Sequence, residues 1–393
     1  MKPVKILADE NIPLVREAFG RLGDVTTCSG REMTPKRLRD VELLLVRSVT
    51  KVDSDLLEGS SVRFVATATA GTDHLQLADL KRLGVACAGA PGSNAESVAQ
   101  YVTAAVLRVA GRRGLNLRGR TAGVVGAGQV GSRVVRNLEA LGMHVLVSDP
   151  PLERAGDCRE FATLEDVLRA DIVTLHVPLT RGGVDRTQHL IDASSVKRME
   201  RDAILINTAR GGVVDNAALL EALRDGTIAG AVLDVWEGEP EISANLLERV
   251  DIGTPHIAGY SYDGKIRGTT MIYEAACRFL KVEPTWSADE FAERPPQTTL
   301  DVERRGRETT DVVSDVVGSL YDIADDDALL REVLHLPEAV RGPAFDSLRK
   351  NYRRRREFNQ TEVRLSAGEA DLGPLFERLQ FRVGAAAGSC AEG

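Results

Sequence analysis

The sequence predicts an α/β protein built from two doubly wound parallel-sheet lobes and a small C-terminal α/β unit. Three observations predict it. At 393 residues the chain is too long for one ordinary core, and three domains are expected. Its hydrophobic content of 43% includes only 4% aromatics, which implies cores of Val, Leu, Ala and Ile and suits sheets covered by helices. Short β-rich runs also alternate with amphipathic segments in two successive series.

The first series runs through "VKILAD", "DVTTC", "ELLLVRS", "RFVATAT" and "VACAG". Asn94 is placed to cap a long helix, "AESVAQYVTAAVLRVAGRR", whose length suits a connector between lobes. The second series begins at "TAGVVG" and continues through "HVLVSD", "DIVTLHV", "AILINT", "AGAVLDV" and "DIGTP". Thr163 and Asp215 read as helix caps within it. A further helical pattern, "KIRGTTMIYEAACRFLKV", leads into "EPTWSADEFAERPPQTT", whose prolines and polar residues suggest a linker. The tail carries an amphipathic "DVVSDVVGSLYDI", a basic "LRKNYRRRREF", an alternating "TEVRL" and an apolar "LGPLFERLQFRV". "GAAAGSCAEG" reads as a disordered end.

Composition narrows the function. A net charge of -8 leaves no electrostatic footprint for nucleic acid, and no apolar run approaches the roughly 20 residues of a membrane span. The N-terminus meets acidic residues before it forms an apolar signal core, so a cytoplasmic location is expected. Five cysteines with no CxxC spacing suggest neither a disulfide framework nor a zinc site, and no metal is expected.

The strongest local signal is "GVVGAGQVG", where Gly126, Gly128 and Gly131 lie between a strand and a helix. Such glycines allow a tight turn and a close approach to a pyrophosphate, whose charge is favoured at a helix N-terminus; Gln129 and Val130 open that helix. Asp149 ends the next strand, at about the 20-residue distance expected of a ribose-binding acid. A carboxylate there accepts from ribose hydroxyls and repels a 2′-phosphate, so NAD is expected over NADP. The competing reading is a structural Asp capping the turn before Pro150 and Pro151.

Ligands of open α/β sheets bind at the carboxyl ends of the strands, and three residues stand there. Arg210 follows "AILIN" and precedes two glycines, a charged fork suited to a carboxylate. Glu239 follows "AGAVLDV" and His256 follows "DIGTP". A neutral histidine can take a proton from a substrate hydroxyl as hydride leaves, while a neighbouring carboxylate fixes its tautomer and favours its protonated form. Taken singly, a surface or loop residue is the default reading of each. Their order at three successive strand ends argues otherwise.

These residues carry a resemblance. "INTARGGVVD", "LDVWEGEP" and "TPHIAG" are similar to the motifs of the D-2-hydroxyacid dehydrogenase family. The resemblance implies Rossmann-like lobes, Arg210 on the substrate carboxylate and C2 oxygen, His256 as acid/base and Glu239 as its orienting partner. "LADENIP", "LLVRSVTKV", "ATATAGTDHLQL", "APGSNAESVAQYV" and "HIAGYSYDGKIRGT" resemble one branch that acts on a small phosphorylated 2-hydroxy acid, with His74 where many relatives carry Asn. That branch ends in a dimerisation domain, which "SLYDIADDDALLREV" and "FDSLRKNYRRRREF" resemble, so a homodimer is implied.

The same likeness places Ser48, Thr69 and Tyr260 at substrate contacts and Asp149, Asp234 and Gly259 at NAD contacts. It implies a discontinuous first lobe, 1–93 completed by 257–284, a nucleotide lobe over 94–256 and a C-terminal domain over 285–393, with the active site in the cleft between lobes. Consecutive N–H groups around Thr69 to Gly71 would suit a carboxylate. Arg47, beside Ser48, is preferred for the substrate phosphate. The run Arg349 to Arg356 is expected to be a solvated helix face, with an arginine reaching the site across a dimer as the alternative. Ser261 to Asp263 depart from the family's pattern. The competing functions are a 3-phosphoglycerate-type dehydrogenase and an NAD-sensing interaction protein of the same fold.

Overall fold

The computed structural model describes residues 3–291 and 298–385. The middle of the expected linker, residues 292–297, and most of the expected disordered end, with Cys390, lie outside the described residues. Among the described residues no helix is long and apolar enough to cross a membrane. The chain divides into two compact units, one formed by the residues through Ala95 with those from Tyr260 to Phe291, the other by Glu96–Gly259 with those from Thr298 onward.

The first unit is a five-stranded parallel sheet of β1 (Val4–Asp9), β2 (Gly23–Cys28), β3 (Leu43–Val46), β4 (Phe64–Thr67) and β5 (Ala86–Ala88), in the order β2-β1-β3-β4-β5. β3 and β4 are buried along their whole length, the expected state of central parallel strands covered on both faces. The helix Tyr262–Leu280 supplies Ile272, Tyr273, Ala276 and Cys277 to the core of Ile6, Leu43, Leu45 and Phe64. It lies close because position 268 is glycine: a Cβ there would sit 2.8 Å from the Ala68 carbonyl oxygen. Trp286, inside the stretch read as a linker, is buried against Tyr273 with ring centroids 5.5 Å apart.

The second unit holds β6 (Thr121–Val125), β7 (His144–Ser148), β8 (Ile172–Leu175), β9 (Ile204–Asn207), β10 (Gly230–Leu233) and β11 (Ile252–Gly253), all parallel, in the order β11-β10-β9-β8-β6-β7. The strand order reverses beside β6, so the loop leaving β6 stands at the switch point where such sheets bind ligands. The helix Ala95–Arg113 matches its expected span, and Thr163 and Asp215 cap their helices by accepting from backbone N–H groups.

The C-terminal residues add a three-stranded parallel sheet of β12 (Thr298–Val302), β13 (Thr361–Leu365) and β14 (Arg382–Ala385). Leu330, Val333 and Phe345 from this region join the core of the six-stranded sheet, beside Leu233 and Trp236. The amphipathic stretch 311–323 runs through the helix Thr309–Leu320, which buries Val312, Val313, Val316 and Val317, to the start of a second helix, Ile323–Glu332, which Asp322 caps by accepting from the Ala324 N–H. One expectation for the tail is corrected: the basic run is not a solvated helix face. The helix Glu338–Lys350 stops within it, the following residues are not helical, and Arg355 is buried, because its guanidinium finds backbone carbonyls and an aromatic ring inside the fold.

Candidate active site

The glycine loop is shaped by contacts that exclude side chains. Gly126 has φ +89°, a conformation open to glycine, and a Cβ there would lie 2.9 Å from the His176 carbonyl. At Gly131 a Cβ would come within 1.9 Å of the Gly126 oxygen, so the helix Gln129–Ala140 can lie against the end of β6 only with glycine at that position. Gly128 faces open space: nothing lies within 4 Å of a Cβ built there. That vacancy over a helix N-terminus fits a dinucleotide's pyrophosphate.

Asp149 ends β7 and both readings of it have a physical basis. One carboxylate oxygen accepts from Leu152 N–H at 3.0 Å and caps the short helix begun by Pro150; the other accepts from Ala127 N–H, inside the glycine loop, at 2.8 Å. The same acid therefore ties the loop to the strand edge. His176, just past β8, bonds Thr174 and Thr208, and burial pushes its pKa down to about 3, so the imidazole beside Gly126 is neutral.

Across the sheet, three loops converge. The His256 Nδ1 lies 2.8 Å from Glu239 Oε2, and the other oxygen of Glu239 accepts from Trp236 N–H at 2.8 Å. Burial pushes the Glu239 carboxyl up, but the bond and charge of His256, the Trp236 N–H and the charge of Arg349 outweigh it and leave the group below its ordinary value. It is therefore ionised at neutral pH. A Cβ on Gly211 would lie 1.9 Å from the Trp236 carbonyl oxygen, so the loop carrying Arg210 runs directly against the loop carrying Glu239. Arg210, half-buried, caps its own strand end through Nη1 to the Ala209 carbonyl at 2.7 Å.

Trp236 fastens the third loop, donating from Nε1 to the Thr254 carbonyl at 3.0 Å. His256 itself has φ 56°, a conformation uncommon outside glycine but one that histidine, like asparagine and aspartate, adopts more readily than other side chains. Asp234 holds it there. Its main-chain oxygen accepts from His256 N–H at 2.7 Å, and its carboxylate accepts from Thr254 Oγ1 at 2.6 Å, Ile257 N–H at 2.7 Å and Ala258 N–H at 3.0 Å. Tyr101, fully buried, continues the chain with a 2.7 Å bond to Thr254. Asp234 is 1% exposed, so its carboxylate faces this loop from inside, and Gly259 closes the loop.

Neither Asp234's bracing role nor Trp236 was assigned from sequence, although both stand within "LDVWEGEP". A second pair was missed as well: His189 Nε2 lies 2.7 Å from Glu237 Oε1, and Asn216 bonds both the side chain and the backbone of Glu237. Its only sequence signal was two glutamates in one short loop.

In the first unit, Arg47 and Ser48 follow β3 and Thr69 follows β4, on the same edge, since Val46 pairs with Thr67. Thr69 Oγ1 bonds Thr67 Oγ1 at 2.7 Å and donates to the Gly71 carbonyl at 2.9 Å, and His74 Nε2 meets Thr67 at 2.9 Å. The Lys265 ammonium stands 4.8 Å over the Tyr260 ring. Ser261, in the stretch that departs from the family's pattern, caps the helix Tyr262–Leu280 by accepting from Gly264 N–H at 2.8 Å.

Residues 94–258 match the D-isomer specific 2-hydroxyacid dehydrogenase NAD binding domain, and residues 293–375 match DUF3410, a domain of unknown function. The chain is 49% identical over 377 residues to the erythronate-4-phosphate dehydrogenase of Salinibacter ruber, covering 92% of this chain and 94% of that one. The chain belongs to the erythronate-4-phosphate dehydrogenases of the D-2-hydroxyacid dehydrogenase family. The Escherichia coli member of this family is 45% identical over 379 residues, covering 96% of this chain and 98% of that one. Among solved structures, D-lactate dehydrogenase from Aquifex aeolicus, complexed with NAD and lactic acid, matches 70% of this chain and 96% of its own with a TM-score of 0.58 and 27% identity. The protein is thus an NAD-dependent 2-hydroxyacid dehydrogenase.

Proposed function

We propose that the protein oxidises 4-phospho-D-erythronate at C2 to (R)-3-hydroxy-2-oxo-4-phosphooxybutanoate, in the biosynthesis of pyridoxal 5′-phosphate. The dyad of His256 and Glu239, joined at 2.8 Å, carries the reading of the chemistry. The name shared by near-full-length relatives supports the substrate. Bound NAD supplies the hydride acceptor. With Nδ1 engaged by Glu239, His256 offers Nε2 as the base for the C2 hydroxyl proton, and Glu239 holds the ring's orientation and offsets the positive charge it gains. Arg210 binds the substrate carboxylate and C2 oxygen with its guanidinium fork.

Gly126, Gly128, Gln129, Val130 and Gly131 hold the dinucleotide's pyrophosphate in this proposal, Asp149 its ribose, and Asp234 and Gly259 supply further NAD contacts. Ser48, Thr69 and Tyr260 contact the substrate, with Arg47 as partner of its phosphate. A homodimer joined through the C-terminal domain, in the cytoplasm, completes the reading.

The test is NADH formation by the purified protein with 4-phospho-D-erythronate or 3-phosphoglycerate, run with and without an added 2-oxo acid to unload retained NADH, and paired with a product assay. Preference for the erythronate ester by at least about 100-fold in kcat/KM, or about 2.7 kcal/mol, is expected. Preference for 3-phosphoglycerate would overturn the substrate and leave the dyad standing.

A further inference from the structure

The C-terminal region touches the two catalytic loops at three separate places, all within the second unit. Arg355, 5% exposed, donates from Nη2 to the Ala258 carbonyl at 2.6 Å and to the Ser97 carbonyl at 3.0 Å. Ala258 is two residues from His256, and its N–H, like that of Ile257, donates to the Asp234 carboxylate. The guanidinium is stacked 4.5 Å from the Tyr321 ring, and its buried Nε and Nη1 have no hydrogen-bond partner among the described residues. Glu357, two residues on, accepts from the Ser97 hydroxyl at 2.9 Å, so alternate residues of one extended segment grip both the backbone and the side chain of Ser97.

Burying an arginine with two nitrogens unpartnered is costly, and an apolar side chain would fill the same space more cheaply. What the charge supplies in return is a strong, directed bond to one carbonyl. That carbonyl belongs to Ala258, two residues beyond the proposed base.

The second contact is on the Glu239 loop. Within the helix Glu338–Lys350, a Cβ on Gly342 would lie 2.6 Å from Glu241 Oε1 and 3.4 Å from Pro240 Cγ, and Arg349 near the helix end lowers the Glu239 carboxyl by its charge. The third is on the strand that delivers His256. Asp327 accepts from Gly253 N–H, on β11, at 2.7 Å, while Arg331 donates to the Leu247 and Val250 carbonyls just before that strand.

We propose that the C-terminal region acts as a brace for the dyad, with Arg355 as a positioning residue that sets the orientation of His256 through the Ala258 carbonyl. The brace operates within one chain and is separate from any part the region plays in assembly. The proposal rests on the reading of His256 as the base. A displacement of about 1 Å in such a group can cost on the order of 100-fold in rate, which is the scale on which the brace acts.

The experiment compares the full-length protein with Arg355→Met, Arg355→Lys and a control in the same region, Arg304→Ala, which removes an ion pair to Asp371 far along the chain from either loop. Each is assayed for kcat, KM for 4-phospho-D-erythronate, NAD affinity, oligomeric state and amide hydrogen exchange at Ile257 and Ala258. Arg355→Met is expected to lower kcat by roughly 10- to 100-fold with KM and NAD affinity within about threefold, and to speed exchange at those two amides. Arg355→Lys, able to donate to the carbonyl, is expected to recover part of the loss, and Arg304→Ala to match the parent.

Unchanged kcat in folded Arg355→Met overturns the proposal. If the methionine variant fails to fold, the lysine variant decides: kcat reduced with KM kept supports the brace, and parental kcat with parental exchange overturns it. Should His256→Ala keep full turnover, the base assignment falls instead. The exchange rates then still read whether Arg355 holds the loop, since they do not depend on the chemistry.

Discussion

The two sides of the six-stranded sheet hold their loops in different ways. At the switch point, the loop Gly126 to Gly131 is shaped by what is missing: a Cβ at either end would strike a backbone oxygen. At the β10 and β11 ends, the loops of Glu239 and His256 are shaped by what is present: a buried aspartate, a tryptophan, a tyrosine and an arginine, each making directed hydrogen bonds. The first design leaves room for a ligand and fixes its anionic centre. The second fixes one imidazole. Substitutions on the glycine side should therefore act on NAD binding, and those of Glu239 and His256 on turnover.

Gly131→Ala has the largest expected effect. Its methyl would need a backbone atom to move, so NAD affinity measured by titration should fall by about 100-fold or more, about 2.7 kcal/mol, and turnover with it. An affinity within threefold of the parent would break the distinction. Glu239→Gln should leave NAD affinity intact and lower kcat by roughly 10- to 100-fold, since the amide keeps the shape but not the charge opposite His256. Equal losses in binding and turnover would show that the two sides are not separate.

Asp234→Asn comes next. The carboxylate accepts three bonds, and an amide nitrogen facing a backbone N–H leaves at least one donor unsatisfied, for about 1–3 kcal/mol of stability by denaturant unfolding. An unaltered unfolding midpoint would remove Asp234 from the loop's support.

At neutral pH the smallest effect concerns His176, whose contribution changes only as the pH falls. Its folded pKa, near 3, lies below the ordinary value of 6.5, so between those limits the unfolded chain binds a proton that the folded one does not. Stability is retained above pH 6.5 and lost as the pH falls towards 3, by at most about 1.4 kcal/mol per pH unit. His176→Gln should flatten that slope. Glu239 adds loss of the same sign at lower pH, because its folded pKa is below its ordinary 4.5 and the stability of its ionised form disappears only as the pH falls through that lower value.

The contrast between the two sides also explains what could be read from the chain alone. Glycine spacing is a local signal, and the strand, turn and helix around Gly126 to Gly131 were legible from a dozen residues. Arg210, Glu239 and His256 were legible because each follows a buried apolar strand in a parallel series, so topology brings their loops to one edge. The bracing bonds of Asp234 were not legible, because its partners Thr254, Ile257 and Ala258 lie on the next strand's loop and nothing in the spacing shows where its carboxylate points. The basic run was misread for a similar reason. Four consecutive arginines, Arg353 to Arg356, resemble a solvated face, and only the fold shows that Arg355 meets Ser97 and Ala258, more than 90 residues away in sequence. Trp286 escaped notice because prolines and acids around it hid one large apolar anchor.

The most direct test of the division between binding and reaction is His256→Ala, with NAD affinity by titration and turnover of 4-phospho-D-erythronate measured on the same preparation. The account predicts NAD affinity within about threefold of the parent and kcat lower by on the order of 1,000-fold, within the range that a positioned acid/base supplies. Turnover near the parental rate, or NAD binding lost together with it, would contradict the account.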